Sequence, residues 1–236
     1  IPNLITLLNL FSGCIALLFV SHHKYELVFF FVSLGIFFDF FDGFFARLYQ
    51  VQSPLGLQLD SLADMVTSGV VPGFVMYQLI FEYQNVGVSP MDAYFPLTMV
   101  FPLLGFAITL GSCYRLAKFN LDTRQSDRFI GLPTPANALL ISTLPYFFQS
   151  FPNLTFLAES PYFLISLAWG MGLLLIAELP LIALKFKDFS FTHNRYRFIL
   201  IGFALVGILG FQLAGIPLII LTYIGLSILE NFGGSA

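Results

Sequence analysis

The sequence predicts an all-α polytopic membrane protein. Three observations carry that prediction. Hydrophobic residues make up 58% of the 236 positions, charged residues only 10%, and the apolar positions gather into eight runs near the length of a membrane-spanning helix. A water-soluble domain carries about 25% charged residues, so a chain this apolar has too little polar surface to face water. A formal net charge of −3 and the lack of a basic run exclude a nucleic-acid binder, which needs cations to neutralise phosphates. Cys14 and Cys113 both lie in apolar runs and make no disulfide framework.

Taken in order, the runs cover 2–20, 26–46, 57–81, 93–114, 133–150, 161–184, 197–212 and 214–230. The first reads as a span rather than a cleaved signal, because no basic segment precedes it and more spans follow. The second ends, and the third begins, in aspartates. A short turn near 48–56 joins them. The fourth leads into a polar segment, 115–132, and the sixth into another, 185–197. Within the sixth run Glu178, just before Pro180, reads as an intramembrane acid that pairs across helices. The last two runs are short and joined by Gly215-Ile216-Pro217, which suits two crossings or a re-entrant pair. No repeat or soluble domain interrupts the pattern, so 1–236 reads as one integral membrane domain.

Loop charges set the expected orientation. With the N-terminus inside, the inside segments hold Arg47, Arg115, Lys118, Arg124, Arg128, Lys185, Lys187, Arg195 and Arg197, and the outside segments hold only Lys24. The turn near 48–56 then faces the cytoplasm, and the expected location is the cytoplasmic membrane.

The acids of that hairpin are the candidate chemistry. Asp39 and Asp42 are three apart near the end of the second run; Asp60 and Asp64 are four apart near the start of the third. Both spacings place a pair on one helix face. An antiparallel hairpin matches their depths to within a few Å at about 1.5 Å of rise per residue. All four carboxylates are therefore expected together, just below the surface. Their neighbours are Phe37, Phe38, Phe40, Phe41, Phe44 and Phe45 rather than polar residues. An ionised acid within a spanning helix costs roughly 2.5–3.5 kcal/mol, and like charges repel. A divalent cation removes both problems. Oxygen ligands select Mg²⁺, Mn²⁺ or Ca²⁺. Gly43, Ala46 and Gly56 keep side chains out of a ligand's way, and Arg47 offers a cation to carboxylate or phosphate. A cation channel or transporter is the rival class, but it calls for acids along a path to the other side.

The series Asp39-x2-Asp42-Gly43-x2-Ala46-Arg47-x8-Gly56-x3-Asp60-x3-Asp64 resembles, without departure, the signature of the CDP-alcohol phosphatidyltransferase family. Pro2-Asn3-x2-Thr6 resembles that family's opening segment. Arg115-Leu116-Ala117-Lys118-Phe119-Asn120, with Phe129 to Asn137, resembles its serine-accepting branch, as do Asp60-Ser61-Leu62-Ala63-Asp64 and Pro72.

The resemblance implies a six-helix core, here about 1–185, with about two extra C-terminal helices at 197–230, and a homodimer. It implies metal-dependent transfer of a phosphatidyl group from CDP-diacylglycerol to the hydroxyl of L-serine, giving phosphatidylserine and CMP. Asp39, Asp42, Asp60 and Asp64 are then the metal candidates, with Mg²⁺ or Mn²⁺ as cofactor, and Asp64 is the catalytic base. Asn3, Thr6, Gly43, Ala46, Arg47 and Gly56 are candidates for the CDP-lipid. Arg115, Asn120, Arg124 and Arg128 are candidates for the acceptor, with Asn137 another polar group for amine or cytidine. Glycerol 3-phosphate or an inositol phosphate as acceptor, and an ether lipid as donor, stay open on the sequence alone.

Overall fold

A computed structural model describes residues 2–51, 53–84, 97–121, 129–182 and 194–233. Among them the chain is a helical bundle. α1 (Pro2–Ser21) and α2 (Tyr25–Leu48) form an antiparallel pair. α3 (Pro54–Asp64), a π-helical turn (Met65–Val70) and α4 (Val71–Gln84) make one continuous third crossing. α5 (Leu97–Leu103) and α6 (Ala107–Leu121), joined by a 3-10 turn, make the next. α7 (Thr134–Ser150), α8 (Thr155–Ala158), α9 (Pro161–Ile176), α10 (Arg195–Phe211) and α11 (Gly215–Gly233) complete the bundle. Two-residue strands β1 (Phe129–Ile130) and β2 (Pro180–Leu181) pair antiparallel, with Phe129 opposite Leu181.

Local chemistry sets these boundaries. Ser53 caps α3 by accepting from the Gly56 N–H at 3.0 Å, with Pro54 in the first helical position, where its missing N–H costs nothing. The turn before it uses Gln50 at φ 54. At the opposite end of the bundle, His23 at φ 54 turns the chain between α1 and α2. Its Nδ1 lies 2.5 Å from Glu82, which also accepts from the Tyr25 hydroxyl at 3.0 Å.

Among the described residues, five helical stretches are long and apolar enough to cross a membrane: Pro2–Ser21, Tyr25–Leu48, Pro54–Glu82, Val100–Leu121 and Arg195–Asn231. α8 and α9 add a further candidate, bent by 80°. The stretch from Arg195 is not one rod. Gln212 at φ 51 reverses the chain, and Gly215 packs on the Gly207 backbone, so α10 and α11 form an antiparallel hairpin. At 1.5 Å per residue the two helices are about 26 and 28 Å long, close to a hydrocarbon core of roughly 30 Å.

Two expected boundaries move. The sixth run was expected to stay helical to 184, but α9 ends at Ile176. Ala177 adopts ψ 140 and Pro180 cannot continue a helix. Glu178 thus lies on an extended segment, exposed, with Lys118 donating to it at 2.8 Å. Conversely, Arg115 and Lys118, expected in an inside loop, belong to α6, which continues to Leu121. Lys118 is paired with Glu178 and Arg115 is buried beside Asp64, so neither charge forces the helix to end. Asp122, Asp127, Lys185, Lys187 and His193 lie outside the described residues.

With no hydrophobic drive between helices in lipid, close contact depends on small residues. α6 and α9 cross at Gly111 and Gly172, where an added Cβ on Gly111 would stand 2.6 Å from the Gly172 carbonyl. α1, α2 and the π-helical turn meet at Thr67. A Cβ on Gly13 would stand 2.5 Å from its hydroxyl, and one on Gly35 2.6 Å from its methyl. These approaches hold the first three crossings rigidly against one another, beneath the aspartates.

Candidate active site

The α2–α3 hairpin brings three of the four aspartates into one cluster. Asp39, Asp42 and Asp60 each offer a carboxylate oxygen, all within 4.8 Å of one another. Asp42 is buried, and Asp60 Oδ1 is buried with no hydrogen-bond partner among the described residues. The Thr6 hydroxyl on α1 donates to Asp42. Asp64 lies one turn deeper on α3, within electrostatic reach of the other three carboxylates. It is buried, and the Asn9 side-chain amide on α1 donates to it at 3.0 Å.

α1 holds an acid of each hairpin helix. Thr6 and Asn9 are three apart on one helix face, and each donates to an acid of a different helix. α1 therefore sets the spacing of the aspartates as much as the hairpin does. Below Asp64 the helix widens into the π-helical turn, a distortion frequent at functional sites. Its backbone is held from outside: the Thr67 hydroxyl donates to the Asn9 carbonyl at 3.1 Å, and the Thr109 hydroxyl donates to the Gly69 carbonyl at 2.9 Å.

The cluster opens onto a cavity of about 580 Å³. Its walls include Asp42 and Asp60 together with Asn3, Thr6, Gly43, Ala46, Arg47 and Gly56, so all six residues expected to hold a CDP-lipid line one space. Gly43 faces open room, since a Cβ there would meet nothing nearer than Arg47 at 3.7 Å. Gly56 is tighter, with Ser53 and Asn3 side chains 3.2 and 3.3 Å from where its Cβ would be.

On the other side of Asp64 the interior is polar and unsatisfied. Arg115 on α6 is 9% exposed, lies within electrostatic reach of Asp64, and has an unpartnered Nε. Ser68, Ser112 and both side-chain atoms of Asn137 are buried without hydrogen-bond partners among the described residues. Native interiors pair such groups, so these orphaned atoms call for a water, an ion or a polar ligand as partner. Asn120 donates to the Ser61 hydroxyl at 2.8 Å. Arg124 and Arg128 lie outside the described residues. Sequence reasoning missed Asn9, Ser68 and Ser112. The signal was their helical register: Asn9 follows Thr6 by three, Ser68 follows Asp64 by four, and Ser112 precedes Arg115 by three.

An apolar helical bundle with an acidic cluster and a ligand-sized cavity beside it is the arrangement of a candidate site in an integral membrane protein. The chain belongs to the CDP-alcohol phosphatidyltransferase family, whose model matches residues 1–181. Among curated proteins it is similar to the CDP-diacylglycerol–serine O-phosphatidyltransferase of Bacillus subtilis, 31% identical over 62% of this chain and 75% of that protein. It is also similar to the proteins of the same name from Helicobacter pylori, 32% identical over 59% of this chain and 54% of the relative, and Methanocaldococcus jannaschii, 34% identical over 60% and 58%. The matched stretch thus spans little more than half the length of these last two relatives.

Proposed function

We propose that the chain transfers a phosphatidyl group from CDP-diacylglycerol to the hydroxyl of L-serine, giving phosphatidylserine and CMP. The observation that carries this reading is the juxtaposition of the three-aspartate cluster, its adjoining cavity, and the buried Asp64–Arg115 region on the far side. The names of the relatives support serine as acceptor.

The donor occupies the 580 Å³ cavity, with its pyrophosphate toward the aspartates and its acyl chains in lipid. Arg47 faces the phosphates, and Gly43, Ala46 and Gly56 leave room for them. Asn3 and Thr6 bound the nucleotide side. The donor set is all oxygen, and Asp60 Oδ1 is left unpaired, which fits a hard divalent ion, Mg²⁺ or Mn²⁺, with Ca²⁺ as a possible bound ion. Asp39, Asp42 and Asp60 would hold it, with Asp64 at the margin. When bound, such an ion neutralises charge on the pyrophosphate oxygens.

The acceptor lies on the Asp64 side. Arg115 takes its carboxylate, because a guanidinium binds that group bidentately. Asn137, Ser68 and Ser112 offer polar partners for the ammonium group. Asp64, fixed by Asn9, accepts the hydroxyl proton. The serine oxygen forms a bond to the lipid-side phosphorus as the bridging P–O bond to cytidylate breaks, and CMP leaves. We further assign the chain to the cytoplasmic membrane with this site facing the cytoplasm, supported by the bias of Lys and Arg to that side. The reading includes a homodimer, a catalytic core of about 1–185 and extra helices at 197–230.

The test is CMP release by purified protein in detergent with CDP-diacylglycerol, adding L-serine, glycerol 3-phosphate or an inositol phosphate in turn, with Mg²⁺, Mn²⁺ or chelator. Metal-dependent release with serine alone is the expected result. Release only with a phosphorylated alcohol overturns the acceptor assignment. Full release in chelator overturns the metal assignment.

A further inference from the structure

α10 and α11 lie beyond the part of the chain that the family model covers. Most of α11 is apolar, yet Tyr223, Ser227 and Asn231 recur every four residues along one face. All three bind the backbone of one short segment. The Tyr223 hydroxyl donates to the Ile182 carbonyl at 3.1 Å, the Ile182 N–H donates to the Ser227 hydroxyl at 3.2 Å, and Asn231 donates to the Pro180 carbonyl at 2.6 Å. Non-helical backbone inside a membrane bundle persists only where protein satisfies its polar groups. Here α11 supplies that satisfaction.

The segment so held is the strand β2, and it leads to the acceptor side. β2 pairs with β1. The next residue, Gly131 at φ 78, donates to the Leu179 carbonyl at 2.9 Å, and Leu132 donates to the Leu174 carbonyl at 3.0 Å. A Cβ on Gly131 would stand 2.7 Å from the Leu175 carbonyl, so this backbone is wedged under the end of α9. Ile130 of β1 then shares a crevice with Arg115, walled by Leu175 and Ala177. Tyr223 itself lies within electrostatic reach of Arg115.

We propose that the polar face of α11 is a positioning device for Arg115: it fixes the β1–β2 bridge and, through it, the wall against which the guanidinium is held. This rests on the reading of Arg115 as the acceptor clamp. The residues concerned are positioning residues and touch no substrate. The α10–α11 hairpin thereby tunes acceptor recognition and leaves the donor cavity, formed by α1, α2 and α3, untouched.

The test compares full-length wild type with Tyr223→Phe, Ser227→Ala and their combination. Each substitution removes one neutral hydrogen bond to the held segment, Ser227→Ala also losing a bond within α11 to the Tyr223 carbonyl, so the serine KM is expected to rise roughly two- to tenfold per change while the CDP-diacylglycerol KM holds steady. A lower Tm with both KM values unchanged overturns the proposal, since a purely structural brace would give that result. So does an equal shift in both KM values. A second readout needs no turnover: phenylglyoxal modification of Arg115, located by mass spectrometry, is expected to accelerate in the double variant. Unchanged reactivity overturns the proposal whatever the acceptor is. Wild-type enzyme inactive with serine, but showing the accelerated Arg115 modification in the variant, would instead overturn the serine reading and retain the positioning device. The milder Tyr223→Phe keeps the ring and its packing, which preserves a folded variant for both readouts.

Discussion

Replacing Asn9 by alanine separates chemistry from donor binding. Its side-chain amide donates to Asp64 at 3.0 Å, and both groups are buried. A hydrogen bond to a charged group contributes about 1.5–3 kcal/mol. Losing it releases the acceptor of the serine proton from its fixed orientation, so kcat is expected to fall by about 10- to 100-fold, within what a positioned base supplies. The donor cavity draws on Asn3 and Thr6 of the same helix, not on Asn9, so the KM for CDP-diacylglycerol should stay within about twofold. The assay is initial-rate CMP release at varied serine and varied CDP-lipid, with Tm in detergent as the check on folding. Asn9→Asp is the companion. It keeps the shape, exchanges the donor for an acid beside Asp64, and should be at least as inactive. A folded Asn9→Ala enzyme with kcat within threefold of wild type would refute the reasoning.

Other substitutions test other parts of the arrangement. Gly35→Ala forces a methyl to 2.6 Å from the Thr67 methyl and should cost about 1–3 kcal/mol, read as a lower Tm, with Thr67→Ser in the same chain restoring part of the loss. Gly43→Val meets open space, so the protein should fold normally but show a raised KM for the CDP-lipid; an unchanged KM would place the donor elsewhere. Asp60→Ala should weaken the metal titration of activity, and an unaltered titration would remove it from the ligand set. Glu178→Gln alters an exposed pair with Lys118, worth about 0–1 kcal/mol, so Tm and turnover should stay near wild type.

The sequence by itself determined the class of fold and the place of the chemistry. Eight apolar runs in a chain with 10% charge leave a membrane bundle as the physical solution, and each run is helical over most of its described length, the sixth leaving the helix after Ile176. The series from Asp39 to Asp64 was legible because its spacing is a helix–turn–helix spacing: local rules of rise and register bring the ends of α2 and α3 together. The same local logic gathered Gly43, Ala46, Arg47 and Gly56.

Tertiary structure decided what local periodicity does not encode. Asp64 is fixed beside the other three aspartates by Asn9 of α1, a contact 55 residues apart in sequence. Arg115 looked like a loop cation by its position after an apolar run. It is a buried helical residue because Asp64 faces it across the bundle and offsets the cost of burying its charge. Glu178 looked intramembrane by hydropathy, and became an exposed partner of Lys118 once α9 ended at Ile176. The polar residues of α11 carried no readable purpose as a sequence, since their partners are backbone groups of residues 180 and 182, and backbone groups leave no trace in composition. A pattern of side chains shows which face of a helix is polar; only the packed bundle shows what that face is pressed against.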